Sequence, residues 1–385
     1  METGQNIFIT GSAGTGKSYN LKLLRDDFYD LEVTASTGVA AVNVGGTTIH
    51  HYAGIGLGDK PIDMIINRMH PDTTMRIKYC GMLAIDEISM LSAETFTLIN
   101  EVFKRVRQSD APFGGMQIIV IGDFLQLPPV SRGEDIKNFA FTSKAWEEAG
   151  FHTIKLEKCY RQKDIAFLDI LKRIRNGDQV DLGPFINGVY NEKNIHLFAV
   201  NKLADDFNFE RLRRIKNKQH YFKAKDSGSP EGIEMLQKWA RASQDLFLKV
   251  DTRVMLLNNK DVESGLVNGA VGTVLEINGD SVTVQFDNKI VCNISYEKVD
   301  SISKKHVEIA SREQIPLRLA YAITIHKSQG MTLKHVHIDG RGIFEYGQAY
   351  VAFSRVESPE GLHVKYFNPG TIKAHPKAVQ FYEAF

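Results

Sequence analysis

The stretch Gly11-Ser12-Ala13-Gly14-Thr15-Gly16-Lys17-Ser18 decides the reading of this chain. It follows the apolar run Ile7-Phe8-Ile9 and precedes a helical pattern in which Leu21, Leu24 and Phe28 share one face. Strand, glycine-rich loop and helix together turn G-x-x-x-x-G-K-S from a string match into a phosphate cradle. The glycines let backbone N–H groups converge on phosphate oxygens where a Cβ would obstruct them, and the helix adds its positive N-terminal end. In such a cradle Gly11 to Ser18 hold the nucleotide, Lys17 reaches the β- and γ-phosphates, and Ser18 offers its hydroxyl to Mg²⁺. The cofactors expected are therefore ATP and Mg²⁺.

Downstream segments supply the rest of a phosphate site. Met82-Leu83-Ala84-Ile85 reads as a buried strand that runs into Asp86-Glu87. Two carboxylates at the end of an apolar strand are unfavourable unless a cation or a proton uses them. Asp86 is the metal candidate, and Glu87 is the candidate base for the attacking water. Phe96, Ile99, Val102, Phe103 and Val106 recur at helical spacing over 92–107. A third apolar run, 117–121, ends in Gly122-Asp123-Phe124-Leu125-Gln126-Leu127-Pro128-Pro129-Val130, where Gln126 is placed to sense a γ-phosphate and two prolines stiffen the exit. A short strand over 32–35 leads to Ser36, Thr37 and Gly38, and Thr48 and His50 close a similar small-residue segment. These side chains can donate to a nucleic-acid backbone, or Ser36 and Thr37 can cap a helix.

Composition sets wider bounds. With 385 residues the chain exceeds one simple core. Its 43% hydrophobic and 24% charged residues are ordinary for a globular protein, and a net charge of +1 means that any nucleic-acid footprint must be local. Three separated cysteines, Cys80, Cys159 and Cys292, support neither a disulfide framework nor a zinc knuckle. There is no apolar run of membrane-spanning length and no leader pattern, so a soluble, intracellular protein without a membrane partner is expected. Residues 54–62, rich in glycine, read as a flexible excursion, part of a small insertion near 54–70.

Together these segments resemble the Pif-type DNA helicases, in the 5′-to-3′ branch of superfamily 1. Tyr160-Arg161-Gln162, the segment from Ala322 through His326-Lys327-Ser328-Gln329-Gly330 to Thr332, and Tyr350-Val351-Ala352-Phe353-Ser354-Arg355 extend the resemblance along almost the whole chain. It implies an α/β fold with two RecA-like domains, a small SH3-like β insertion in the second, and ATP bound between the two. By the same resemblance Arg161 and Arg355 reach the γ-phosphate from the second domain. Gly330 belongs to the nucleotide side, and His326 and Ser328 join Thr37, Gly38, Thr48 and His50 on single-stranded DNA. The activity implied is ATP-dependent, 5′-to-3′ unwinding of forked or tailed duplex by a monomer serving DNA replication, repair or recombination. Family members carry an adenine-reading glutamine ahead of the first strand. This chain begins too close to that strand to include it, so weakened adenine selectivity or a shortened form is expected.

The expected domains are 1–154, then 155–248 with 313–385, with the β insertion at 249–312. Within the second half, Phe167, Leu168, Leu171 and Ile174 mark a helix that stops at Asn176-Gly177. Basic residues between Lys202 and Lys225, interleaved with Phe207, Phe209, Tyr221 and Phe222, fit either a strand-binding surface or a solvated helix face. From 249 the period changes to two, with Asn278-Gly279 as a hairpin turn. The run 317–325 reads as a return to parallel-sheet style. His335 and His337 read as sheet residues rather than zinc ligands, and Phe381, Tyr382 and Phe385 as anchors for the end of the chain. Two further functions fit the same motifs: an NTPase switch acting on a protein, and a strand-binding module with a vestigial ATPase.

Overall fold

The computed structural model describes all residues except 1–3, 57, 59, 130–137, 184–190, 192–193, 241, 259, 262–263, 267 and 305–306. Val130, the end of the Gln126 segment, and Leu57 and Asp59 of the 54–62 excursion therefore lie outside the described residues. The chain divides into two compact units, Met1–Val189 with Ile325–Phe385, and Tyr190–Thr324.

The first unit is built on a six-stranded sheet in the order β3-β2-β4-β5-β1-β6. Its strands are β1 (Ile7–Gly11), β2 (Leu31–Ala35), β3 (Thr47–Thr48), β4 (Met82–Asp86), β5 (Gln117–Gly122) and β6 (His152–Leu156). All its pairings are parallel, which suits near-continuous apolar strands buried on both faces. β1 lies between β5 and β6, so the phosphate loop leaves the sheet beside the ends of β4 and β5, where Asp86 and Asp123 stand. The helix Ala93–Arg107 is capped by Ser92 and buries Phe96, Ile99, Val102 and Phe103, the face its spacing predicts. Within 54–62, Ile55 is buried while Gly54, Gly56, Lys60 and Pro61 are exposed. Ile55 and Ile65 are buried in the same core as Phe96, and helices Ile62–Asn67 and Pro71–Tyr79 pack on Ala93–Arg107.

The end of the chain belongs to this core too. The helix Pro376–Glu383 buries Ala378 and sets Phe381 against Phe141 with ring centroids 4.2 Å apart. Phe8, Phe124 and Trp146 surround the same ring. The sequence grouped 376–383 with the second RecA-like domain, whereas its aromatic contacts lie on β1 and the segment after β5. His337, on Val336–Asp339, is buried with its ring 4.7 Å from that of His363, on the parallel strand Leu362–Lys365.

In the second unit, Ile195–Phe198 pairs in parallel with Ala322–Thr324. Five antiparallel strands in the order Val291–Ser295, Ser281–Phe286, Val271–Asn278, Arg253–Leu256 and Leu317–Leu319 form the small barrel-like sheet around Val254, Val274, Val284 and Leu317. The run 317–325 is thus two elements, and the expected insertion end at 312 falls short. Leu317–Leu319 closes the antiparallel sheet because Leu317 fills its core, and only Ala322–Thr324 is parallel. The hairpin Glu297–Lys304 with Val307–Gln314, which also pairs with Lys225–Gly228, carries too much charge to show in an apolar pattern.

Candidate active site

The phosphate loop turns twice through left-handed backbone, at Gly14 (φ 81°) and Gly16 (φ 85°), before the helix Lys17–Asp27 begins. Position 14 needs glycine for a second reason: a Cβ there would lie 2.7 Å from the Arg161 Cβ. The loop is held by its own contacts. Thr15 Oγ1 donates to the Ser12 carbonyl (2.9 Å), and Lys17 Nζ donates to the Gly11 (2.7 Å) and Ser12 (2.9 Å) carbonyls. The Ala13 amide donates to the Tyr350 phenol oxygen (2.8 Å), so this N–H is engaged by the helix Gln348–Phe353. The quoted motif contained Tyr350, but no local signal showed what it would hold. Burial lowers the Lys17 ammonium pKa, and Asp123, Glu87 and Asp86 oppose that shift.

A cavity of about 520 Å³ opens at this loop. Of the residues singled out from sequence, Ala13, Gly14, Gly16, Lys17, Ser18, Glu87, Gln126, Arg161, Gly330 and Arg355 line it. Gly11 and Ser12 border a second cavity instead, and Thr15 is buried in the loop. Asp86 is buried directly behind: Ser18 Oγ donates to its Oδ2 (3.3 Å), and the Glu87 amide donates to its Oδ1 (2.8 Å). Burial, then the neighbouring Glu87 carboxylate, push the Asp86 pKa up to about 7. A carboxylate beside a hydroxyl, its charged form disfavoured by burial and by Glu87, is a hard-oxygen donor set that suits Mg²⁺.

Glu87 sits at φ 52°, a left-handed conformation that costs a non-glycine residue about 1–3 kcal/mol. Its side chain lines the cavity, where Oε2 accepts from Gln329 Nε2 (3.0 Å). Gln126 is buried, its Nε2 donating to Asp123 Oδ2 (3.4 Å). Arg161 donates to Thr332 Oγ1 (2.9 Å) and to the Ser354 carbonyl (2.8 Å). Arg355 is 1% exposed and, among the described residues, its acceptors are backbone carbonyls and the Ser354 hydroxyl. Burial, then Arg161, bring its pKa down to about 9. Tyr19 and Tyr160, both 66% exposed, stand at the same cavity, and sequence reasoning had assigned neither a role.

The residues expected on a nucleic-acid strand divide. Thr37 Oγ1 accepts from the Ala40 amide (3.2 Å) and Thr48 Oγ1 from the His51 amide (3.3 Å), so both hydroxyls cap short helices. Gly38 is exposed with open space at its Cα, and His50 is half-buried. His326 is half-buried, its imidazole pKa lowered by burial. Ser328 is fully buried and its hydroxyl closes a turn by donating to the Ile325 carbonyl (2.7 Å), leaving no exposed hydroxyl for a strand.

A parallel sheet with a glycine-rich loop at its phosphate end, facing an Asp-Glu pair and two arginines, defines a phosphate-loop NTPase with a RecA-like core. The profile of the PIF1-like helicases matches residues 1–182, and that of the DNA helicase Pif1 2B domain matches 234–277. The human ATP-dependent DNA helicase PIF1 is 39% identical over 393 residues, covering 98% of this chain and 61% of the human protein. Among solved structures, Pif1 helicase from Candida albicans superimposes with a TM-score of 0.90 at 35% identity, covering 100% of this chain and 96% of that one. Pif1 helicase from Bacteroides, in complex with ADP-AlF3 and single-stranded DNA, gives 0.77 at 31% identity, covering 99% and 93%. The chain belongs to the Pif1-like helicase family. It spans about three fifths of the human relative's length.

Proposed function

We propose that the protein is an ATP-dependent DNA helicase that translocates 5′ to 3′ along single-stranded DNA and unwinds forked or tailed duplex, as a monomer. The observation that carries this reading is the convergence of Arg161 and Arg355 with Lys17, Ser18, Glu87 and Gln126 on one cavity. The names of the relatives, and the single-stranded DNA in the Bacteroides complex, support DNA as the track. The direction rests on family resemblance.

In this reading Lys17 exchanges its two carbonyl acceptors for β- and γ-phosphate oxygens. Ser18 and Asp86 hold Mg²⁺, which when bound neutralises charge on the phosphates. Glu87, fixed by Gln329, takes the proton of the attacking water, which Gln126 helps to place. Arg161 and Arg355 stabilise charge that spreads over the transferring oxygens. The exposed rings of Tyr19 and Tyr160 offer stacking surfaces for the nucleobase. We further propose a first RecA-like domain over 1–154, joined by the terminal helix Pro376–Glu383. The second domain is built from 155–248 and the remainder of the chain beyond the β insertion. Opening and closing of the first against the second converts hydrolysis into steps.

The test is ATP turnover with and without single-stranded DNA, together with unwinding of duplexes tailed at the 5′ or the 3′ end. Strand-stimulated turnover with unwinding of the 5′-tailed substrate is expected. Turnover indifferent to DNA points to a protein-directed switch, and strand binding without turnover points to a vestigial ATPase.

A further inference from the structure

Behind the phosphate loop lies a cluster with no direct part in the chemistry above. Asp123, just past β5, is 0% exposed. Arg175, on the helix Ile165–Asn176, meets it in a two-pronged pair: Nε donates to Oδ2 (3.0 Å) and Nη2 to Oδ1 (2.7 Å). The same Oδ2 accepts from Gln126 Nε2. Tyr382 closes the far side. Its ring lies 5.0 Å from the Arg175 guanidinium, and its hydroxyl hydrogen-bonds with Thr10 Oγ1 (2.6 Å) and accepts from the Phe124 amide (3.1 Å). Burial alone would raise the Asp123 pKa, but Arg175 more than offsets it and leaves the carboxyl below its ordinary range. Burial likewise opposes the charge of Arg175, and Asp123 more than restores it.

Arg175 does not line the cavity around Lys17. It borders the second one, about 460 Å³, with Gly11, Ser12, Tyr350 and Tyr382. It therefore acts on the reaction only through another residue. An ionised carboxylate accepts and never donates, so Asp123 selects the NH₂ edge of the Gln126 amide. A carboxylate held by one donor can still swing about its Cβ–Cγ bond. A guanidinium fork removes that freedom, because its two parallel N–H groups fix the carboxylate plane.

We propose that Arg175 is a positioning residue for ATP hydrolysis: by fixing the plane of the Asp123 carboxylate it holds the Gln126 amide at the phosphate cavity. This rests on the role given to Gln126 above. The clamp joins the helix after the Tyr160-Arg161-Gln162 segment to the end of β5, and Tyr382 braces it from the terminal helix. Sequence alone gave no sign of it, since Arg175 sits on the polar side of an ordinary amphipathic helix.

The experiment compares steady-state ATP turnover of the full chain with Arg175→Lys, Gln126→Ala and both together. Lysine keeps the ion pair, and so the fold, but loses the fork. Arg175→Lys should lower kcat about 10- to 100-fold through misplacement alone, with KM for ATP within about a factor of two. The double variant should be no slower than Gln126→Ala, because Arg175 then has nothing left to position. Wild-type kcat in Arg175→Lys overturns the proposal. So does a double variant slower than Gln126→Ala by the full Arg175→Lys factor, the result a merely structural role gives. If Gln126→Ala itself turns over at the wild-type rate, the role of Gln126 fails and the proposal fails with it. The single variant shows which has happened.

Discussion

Replacing Arg355 by methionine should leave the nucleotide-free protein as stable as before or more so, while removing nearly all of its ATP turnover. The guanidinium is 1% exposed, and among the described residues it donates to the Val351 carbonyl (2.9 Å), the Ser354 hydroxyl (2.8 Å), the Met331 carbonyl (3.3 Å) and the Ser328 carbonyl (3.5 Å). None of these acceptors carries a charge. Burial, then Arg161, bring the guanidinium pKa down to about 9. At about 1.4 kcal/mol per pKa unit, the fold disfavours the charged form by on the order of a few kcal/mol. The sign follows from linkage. Below pH 9 the group is protonated in both folded and unfolded chains, so the whole penalty is present at neutral pH. It fades only as pH rises through about 9.

Methionine keeps the volume and removes the charge, but it leaves carbonyls without a donor, at about 1–3 kcal/mol for an acceptor that finds no other partner. Buried ion pairs replaced by well-packed apolar residues often come out neutral or about 1–4 kcal/mol more stable, and Arg355 leaves no charged acceptor behind. A net gain of about 0–3 kcal/mol raises the melting midpoint by up to about 12 °C, at roughly 2–4 °C per kcal/mol for a unit of this size. Turnover should fall about 10³-fold, the lower end of what an arginine finger contributes. Thermal melting without nucleotide and phosphate release at saturating ATP measure the two effects on one preparation. A variant that melts several degrees lower would show that Arg355 is a structural cation. Retained turnover would show that it never meets the phosphoryl group.

Lys17→Ala should abolish hydrolysis, read as phosphate release at saturating ATP. Near-normal turnover would remove the cradle from its assigned role. Asp86, raised from 3.8 to about 7, favours its neutral form in the fold, so its contribution to stability declines as pH rises from about 4 to 7. The metal-free protein should therefore lose melting temperature over that range more steeply than Asp86→Asn. Mg²⁺ binding should tighten over the same range and release a proton, detectable by calorimetry in buffers of different ionisation heat. Parallel melting curves for the two proteins would refute the shift.

The nucleotide half of this site was legible because its chemistry is local. Lys17, Ser18, Asp86, Glu87 and Gln126 each stand at or just beyond the end of a strand that apolar composition alone marks, and the parallel sheet brings those ends together. What stayed hidden depends on partners far away in sequence. Ser328 is the exception: its hydroxyl is held by a carbonyl only three residues back, and what its residue type did not reveal is its burial. Leu317 has no neighbour in sequence that reveals the antiparallel partner Leu256. Arg175 and Asp123 lie 52 residues apart, and each alone reads as a solvated charge. Aromatic residues at the end of the chain were legible as anchors, but not that Phe381 would stack on Phe141 beside β1.

Arg161 and Arg355 are referred to one residue, and that constrains how they can work. Arg161 Nη1 (2.8 Å) and Gln162 Nε2 (3.1 Å) both donate to the Ser354 carbonyl, while Arg355 Nη2 donates to the Ser354 hydroxyl (2.8 Å). Gln162 also donates to the Val356 carbonyl (2.7 Å), which fixes the strand of backbone on both sides of Arg355. Burial lowers the pKa of both guanidinium groups; at Arg355 the charge of Arg161 lowers it further and Glu87 offsets part of the effect. An anion with several oxygens can accept from both guanidinium groups at once. If both guanidinium groups meet a γ-phosphate, as proposed above, its arrival would offset the burial cost that each of them bears.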